Sequence, residues 1–189
     1  MIAVNLSFKL LIQNRLTMRT KTSIIILILS VFSITSYSQK YDVGEANETI
    51  KEFKEKDPGM NEIFASAVGY AVFPHIGKGG LGIGGAGGKG TVYKGGTTVA
   101  DVKMSQVTIG FQAGGQKYAE VIFFENDETY NNFISEDFEF AAQVSAVALK
   151  AGASADAPYE DGLLVVTMAI GGLMYEASVG GQKFKVSPY

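Results

Sequence analysis

The sequence predicts an α+β fold: a strongly curved antiparallel sheet or partial barrel, with N-terminal amphipathic helices packed against it. Three observations carry this. Residues 42–57 place apolar side chains at helical spacing. Beyond residue 69 the chain turns to short alternating runs. Glycine-rich stretches separate those runs, with eleven glycines in the twenty residues 77–96 alone. Helices followed by many short strands with glycine turns favour antiparallel pairing and closure by curvature.

The first segments are read as targeting rather than fold. In residues 18–38, Arg19 and Lys21 form a basic start, 24–34 an apolar core, and Ser36 and Ser38 the small residues before a cut at Gln39. That order is a secretory signal peptide, and its apolar run is shorter than the ~20 residues of a membrane span. Retention as an N-terminal anchor is the alternative. Residues 1–17 fit neither role, and Met18 directly precedes the basic segment, so they read as an over-extended start. Residues 39–189 then form a single domain, within the usual size range.

In that domain, Val43, Ala46, Ile50 and Phe53 form the apolar stripe of the first helix, and lysines gather toward its C-terminal end. Asp57-Pro58 stops it and starts a second helix to about residue 67, with Asp57 as cap. Residues 69–73 read as a short strand ended by Pro74. Residues 98–102, 106–113 and 118–124 read as three strands. Residues 126–133 read as a short helix capped by Asn126 or Asp127. Residues 138–151 alternate at period two and are assigned a long strand. Strands at 162–169, 173–179 and 183–186 complete the set. Gly114-Gly115-Gln116-Lys117-Tyr118 is echoed by Gly180-Gly181-Gln182-Lys183-Phe184, which reads as one hairpin-turn chemistry used twice, since Gly-Gly supplies positive φ.

Composition excludes several functions. Beyond residue 38 there are 12 lysines, no arginine and 19 acids, a charge of −7. Such a domain is a poor nucleic-acid binder, because phosphate neutralisation supplies most of that affinity. There is no cysteine, which removes thiol catalysis, thiolate metal sites and the acylated cysteine of a bacterial lipoprotein. His75 is the sole histidine and has no recognisable partner. No catalytic residue, metal ligand set or cofactor is assigned. Gly82 to Gly87 fits G-x-G-x-x-G, but no helix opens there, so a dinucleotide site is not expected. Leu81 and Ile83 instead alternate with glycine on an extended strand, whose bare face admits another backbone, a ring or a ligand, so that a tightly bent barrel corner and a ligand groove are equal readings. Asp101 and Glu120 are the only foothold for a carboxylate-pair hydrolase, the remotest alternative.

Three blocks carry a resemblance: GYAVFPHIGKGGLGIGGAGGKGTVYKGG (69–96), TIGFQAGGQKYAEVIFFENDETYNNF (108–133) and GGLMYEASVGGQKFKV (171–186). In order and spacing they resemble the SYLF domain, from about residue 41 to the C-terminus. The resemblance implies a lipid-binding module. Eukaryotic members bind phosphoinositides partly through an N-terminal amphipathic helix, and some are described as actin-binding; bacterial members are exported single-domain proteins. It implies no catalytic residues. By that likeness, Lys78, Lys89 and the 42–57 helix are the places for head-group contact. The expected lipid-contact set is Val43, Ile50, Lys51, Phe53, Lys54, Lys78, Leu81, Ile83 and Lys89.

The expected function is an exported, non-enzymatic lipid- or membrane-surface-binding domain, periplasmic or secreted if bacterial. The alternative is a structural or interaction protein of the cell envelope without a small ligand, pairing with an envelope protein or another copy of itself.

Overall fold

In the computed structural model, the described residues are 42–135, 138–140, 146–152, 154, 157–171 and 181–189, apart from the side chains of 81–83 and 108–114. They lie in the unit Tyr41–Tyr189. The leader and the strand expected at 173–179 fall outside them.

Helix α1 (Val43–Lys56) starts where Asp42 accepts a hydrogen bond from the Gly44 N–H at 2.8 Å. Glu45 in its first turn and Lys54 and Lys56 in its last oppose the helix dipole. It buries Ala46, Thr49 and Phe53, with Ile50 half-buried. The stripe is thus rotated from the one expected. Thr49 enters the interface because its hydroxyl bonds back to the Glu45 carbonyl at 2.9 Å, and Val43 stays 36% exposed.

Helix α2 (Met60–Ser66) is capped by Gly59, not by Asp57 as the sequence suggested. Asp57 ends α1 instead and is buried. One carboxylate oxygen accepts from the Gly59 N–H (3.2 Å) and the other from the Ser154 N–H (2.8 Å). The backbone bond from Ser154 comes first among the causes that hold this carboxyl below its ordinary range. An amide here would turn an NH2 toward an N–H. Asp57→Asn is therefore expected to cost about 1–3 kcal/mol in urea unfolding at pH 7. Because the folded carboxyl is depressed, its contribution is complete above the ordinary aspartate range and fades in more acid solution. The gap between variant and wild type should narrow in the same direction.

Strands β1 (Gly69–Lys94) and β2 (Thr97–Phe124) form one long hairpin, turned at Gly95 and Gly96 with φ of 56° and 77°. Positive φ at both central residues suits the right-handed twist of the flanking strands. Three expected strands are merged in β2. The strand expected to end at Pro74 runs on, because a register shift between Phe73 and Ile76 absorbs a residue that cannot donate to the ladder. Gly114 and Gly115, read as a turn, are mid-strand and pair with Gly80 and Gly79.

A straight 26-residue strand would reach about 85 Å at roughly 3.3 Å per residue, whereas a domain of about 150 residues has a radius of gyration of about 15 Å. The hairpin must curl, and glycine is what lets it. A Cβ on Gly88 would lie 2.8 Å from the Ile76 side chain and 2.9 Å from the His75 carbonyl. One on Gly90 would strike the Val72 carbonyl, and one on Gly69 would lie 2.6 Å from the Tyr93 carbonyl. The two ends of β1 therefore pack against each other, with Tyr70 stacked on Tyr93 at 5.0 Å.

Helix α3 (Asp127–Ile134) is capped by Asn126, whose side chain accepts from the Thr129 N–H at 2.9 Å. The 138–151 segment is not one long strand. Two-residue strands β3 (Phe138–Glu139) and β4 (Val147–Ala148) join different partners, β6 (Lys183–Pro188) and β5 (Leu163–Gly171). The sheet order is β3-β6-β2-β5-β4, with β1 also on β2. Among the described strands, all pairings are antiparallel except β4 with β5. Because β6 takes residues 100–105 of β2 and β5 takes 117–124, the sheet bends between them into a half-barrel.

Both faces of the central strands are buried. Inside the curve, Phe73, Ile76, Ile122, Phe124, Phe133, Phe140 and Phe184 form one core. On the outside, α1 and α2 cover Tyr70, Val72, Val121, Phe123, Leu164 and Val166 with Phe53, Met60 and Phe64. Burial on two faces is why 119–124 and 163–168 read as near-continuous apolar runs.

Candidate functional site

At the bend, β1, β2 and β5 present the row Gly77, Lys117 and Gly171, with Lys78 opposite Gln116. These residues, with Gly115 and Ile170, line an open groove of about 540 Å³, within the ~300–1,000 Å³ of small-molecule sites. Its lining is mainly apolar. Ile170 is 45% exposed, and a Cβ on Gly77 or Gly171 would meet nothing within 4 Å. The absent side chains are therefore the groove itself, and Lys78 and Lys117 are the cationic residues among those that line it. The sequence offered Lys78, but Lys117 and Ile170 were missed, since Gly114-Gly115 passed for a turn.

The other expected contact residues are dispersed. Phe53 is fully buried in the core beneath α1, so it serves packing. Val43 and Ile50 lie along the same helix. Lys51 pairs with Glu55 at 3.5 Å, and the Lys54 ammonium sits 5.0 Å from the Phe64 ring centre. Lys89 lies elsewhere on β1, opposite Lys103. The side chains of Leu81 and Ile83 are outside the described set.

Asp101 and Glu120 do not converge. Asp101 accepts a hydrogen bond from the Tyr189 hydroxyl at 2.9 Å near the surface. Glu120 is 0% exposed, and its carboxyl accepts from the Gln182 amide at 3.1 Å. Burial pushes Glu120 up to about 8 and raises the neighbouring Tyr118 hydroxyl as well. Its second oxygen, the Thr167 hydroxyl and the Gln182 carbonyl have no partner among the described residues. A neutral acid suits such a place, since its proton needs one of those acceptors. The described residues also contain no group of three His, Asp or Glu side chains placed to hold a metal ion.

What the fold and site define is a curled half-barrel with helices on its outer face and a glycine-floored, lysine-edged groove at its bend. Residues 105–188 match the family model described as Ysc84: Las17-binding protein actin regulator. The stretch from mid-β2 through β6 is thus similar to that family. The chain is also similar to Beta cell expansion factor A of Aeromonas veronii, 28% identical over 144 residues, covering 71% of this chain and 51% of that protein. It thus spans about half the length of this curated relative.

Proposed function

We propose that residues 39–189 form an exported, non-enzymatic domain that binds a lipid or a membrane surface. The observation that carries this is the groove at the bend. Its glycine floor lets an alkyl chain lie against backbone, where burial is worth roughly 25 cal/mol per Å², while Lys78 and Lys117 stand where a phosphate or carboxylate head would be. No helix among the described residues is long and apolar enough to cross a membrane. Contact through the domain's own surface is the mode this reading uses.

Filling the groove tests the reading. Gly77→Leu and Gly171→Leu project side chains into open space, so they should leave the fold intact. Each is expected to weaken binding of a fluorescent fatty acid about tenfold, read as a titration against wild type. Unchanged titrations in both would remove the groove from the account. The family description, Las17-binding protein actin regulator, makes a protein ligand the second reading. It would be favoured if the wild type bound no lipid probe and crosslinked to one envelope protein.

A further inference from the structure

A second hollow, of about 610 Å³, lies where β2, β6 and β3 meet. It has the size of a small-molecule site and shares no residue with the groove at the bend. It opens on the outer face of these strands. Val102, Met104, Phe184 and Val186 point into the core, so Lys103, Ser105, Lys183 and Lys185 between them point outward and are exposed.

Register sets the chemistry of the hollow. Lys103 is directly opposite Lys185, Ser105 opposite Lys183, and Lys183 opposite Glu139. Directly paired residues of an antiparallel sheet share a face, with Cβ atoms about 4.5–5.5 Å apart. Lys183 and Glu139 satisfy each other at 3.2 Å. Lys103 and Lys185 leave the sheet side by side with like charge, an arrangement that is destabilising by itself. Neither makes an ion pair among the described residues. Asp101, two residues along β2, accepts the Tyr189 hydroxyl instead.

The two ends of the hollow therefore ask for different groups. One carboxylate relieves the repulsion between Lys103 and Lys185. At the other end Glu139 accepts hydrogen bonds, and the Ser105 hydroxyl both donates and accepts. Those are partners for neutral hydroxyl groups, and Glu139 repels a second negative charge. A densely charged surface meets that acid at once, and a flat one does not fill a concavity. A molecule with one carboxylate and several hydroxyls matches both ends.

We propose that this hollow binds an acidic sugar, a uronic acid unit of an oligosaccharide, with its carboxylate on Lys103 and Lys185 and its hydroxyls on Ser105 and Glu139. The site is separate from the groove and does not depend on the lipid-binding reading.

The test is calorimetric titration of the purified protein with trigalacturonate at low salt, beside its methyl ester, acetate and inorganic phosphate. Wild type should bind the acid, and each of the other three at least about tenfold more weakly, because each lacks the charge or the sugar hydroxyls. The double variant Lys103→Gln, Lys185→Gln should lose about tenfold in affinity, the sum of two exposed charge contacts. It should unfold at the same urea concentration as wild type or a higher one, since a like-charge pair is removed. Ser105→Ala should lose about fivefold, the worth of one hydrogen bond. Lys56→Gln and Lys150→Gln should bind as wild type does. No binding of trigalacturonate overturns the proposal, as does undiminished affinity in the double variant or in Ser105→Ala. Acetate or phosphate bound as tightly marks a plain anion site and overturns it. An equally bound methyl ester shows that the lysines do not read the carboxylate and overturns it too. Phosphatidylserine vesicles that displace the sugar mark a lipid head-group site and also overturn it. The fatty-acid titration of the groove stands or falls separately from all of these.

Discussion

Gly90→Ala is expected to lose about 3 kcal/mol or more in urea unfolding, a large share of the stability of a domain this size. The added methyl group would collide with the Val72 carbonyl and lie 2.7 Å from the Phe73 ring. Backbone cannot rotate aside as a surface side chain can. The strand must shift, and with it the crossing of the two ends of β1 that closes the half-barrel. Gly88→Ala, against the His75 carbonyl and Ile76, should behave similarly. Gly77→Ala is the control: on the same strand its Cβ meets nothing within 4 Å, so the change should be neutral or gain a few tenths of a kcal/mol through a less flexible unfolded chain. If Gly77→Ala and Gly90→Ala unfold at the same urea concentration, the curl does not depend on close backbone approach.

The second large effect is set by pH. Glu120 has a folded pKa of about 8, raised by burial from 4.5. Below 4.5 both folded and unfolded chains hold the proton, and its stabilising share is complete. Above 4.5 the unfolded chain releases the proton while the folded one keeps it, so stability falls with rising pH until the folded group ionises near 8. Across that window the loss is on the order of 5 kcal/mol. Glu120→Gln keeps the shape and the bond from Gln182, and offers its NH2 to the unpaired Gln182 or Thr167 oxygens. Its unfolding free energy should therefore lack this slope and exceed wild type by a few kcal/mol at pH 8, with little difference at pH 4. Parallel stability profiles for the two proteins would show that Glu120 is charged in the folded state.

Local chemistry was legible. Asn126 before Asp127-Glu128 announced α3, and the apolar run ending in Phe123 and Phe124 announced a buried strand. The overall class followed from helices preceding glycine-rich strands. Non-local consequences were not legible. Gly88 and Gly90 show in the sequence only as bare positions; what they approach, residues 72–76, is fixed by the curl. Gly114-Gly115 has the composition of a hairpin turn, and only its pairing with Gly80 and Gly79 shows otherwise. Asp57 was read as a cap for the helix after it because its partner Ser154 is 97 residues away. The second hollow joins positions 103, 139 and 185, which nothing but strand register brings together. Glu120 did leave a signal, a lone acid inside an apolar strand, but its depth became visible only once Gln182 came to lie against it.

The most direct measurement is flotation of the wild-type protein with phospholipid vesicles at low salt, with mass spectrometry of any lipid that co-purifies. The account predicts that the protein rises with the vesicles and that acyl lipid is recovered with it. Protein that stays at the bottom of the gradient, and carries no lipid from purification, would contradict it.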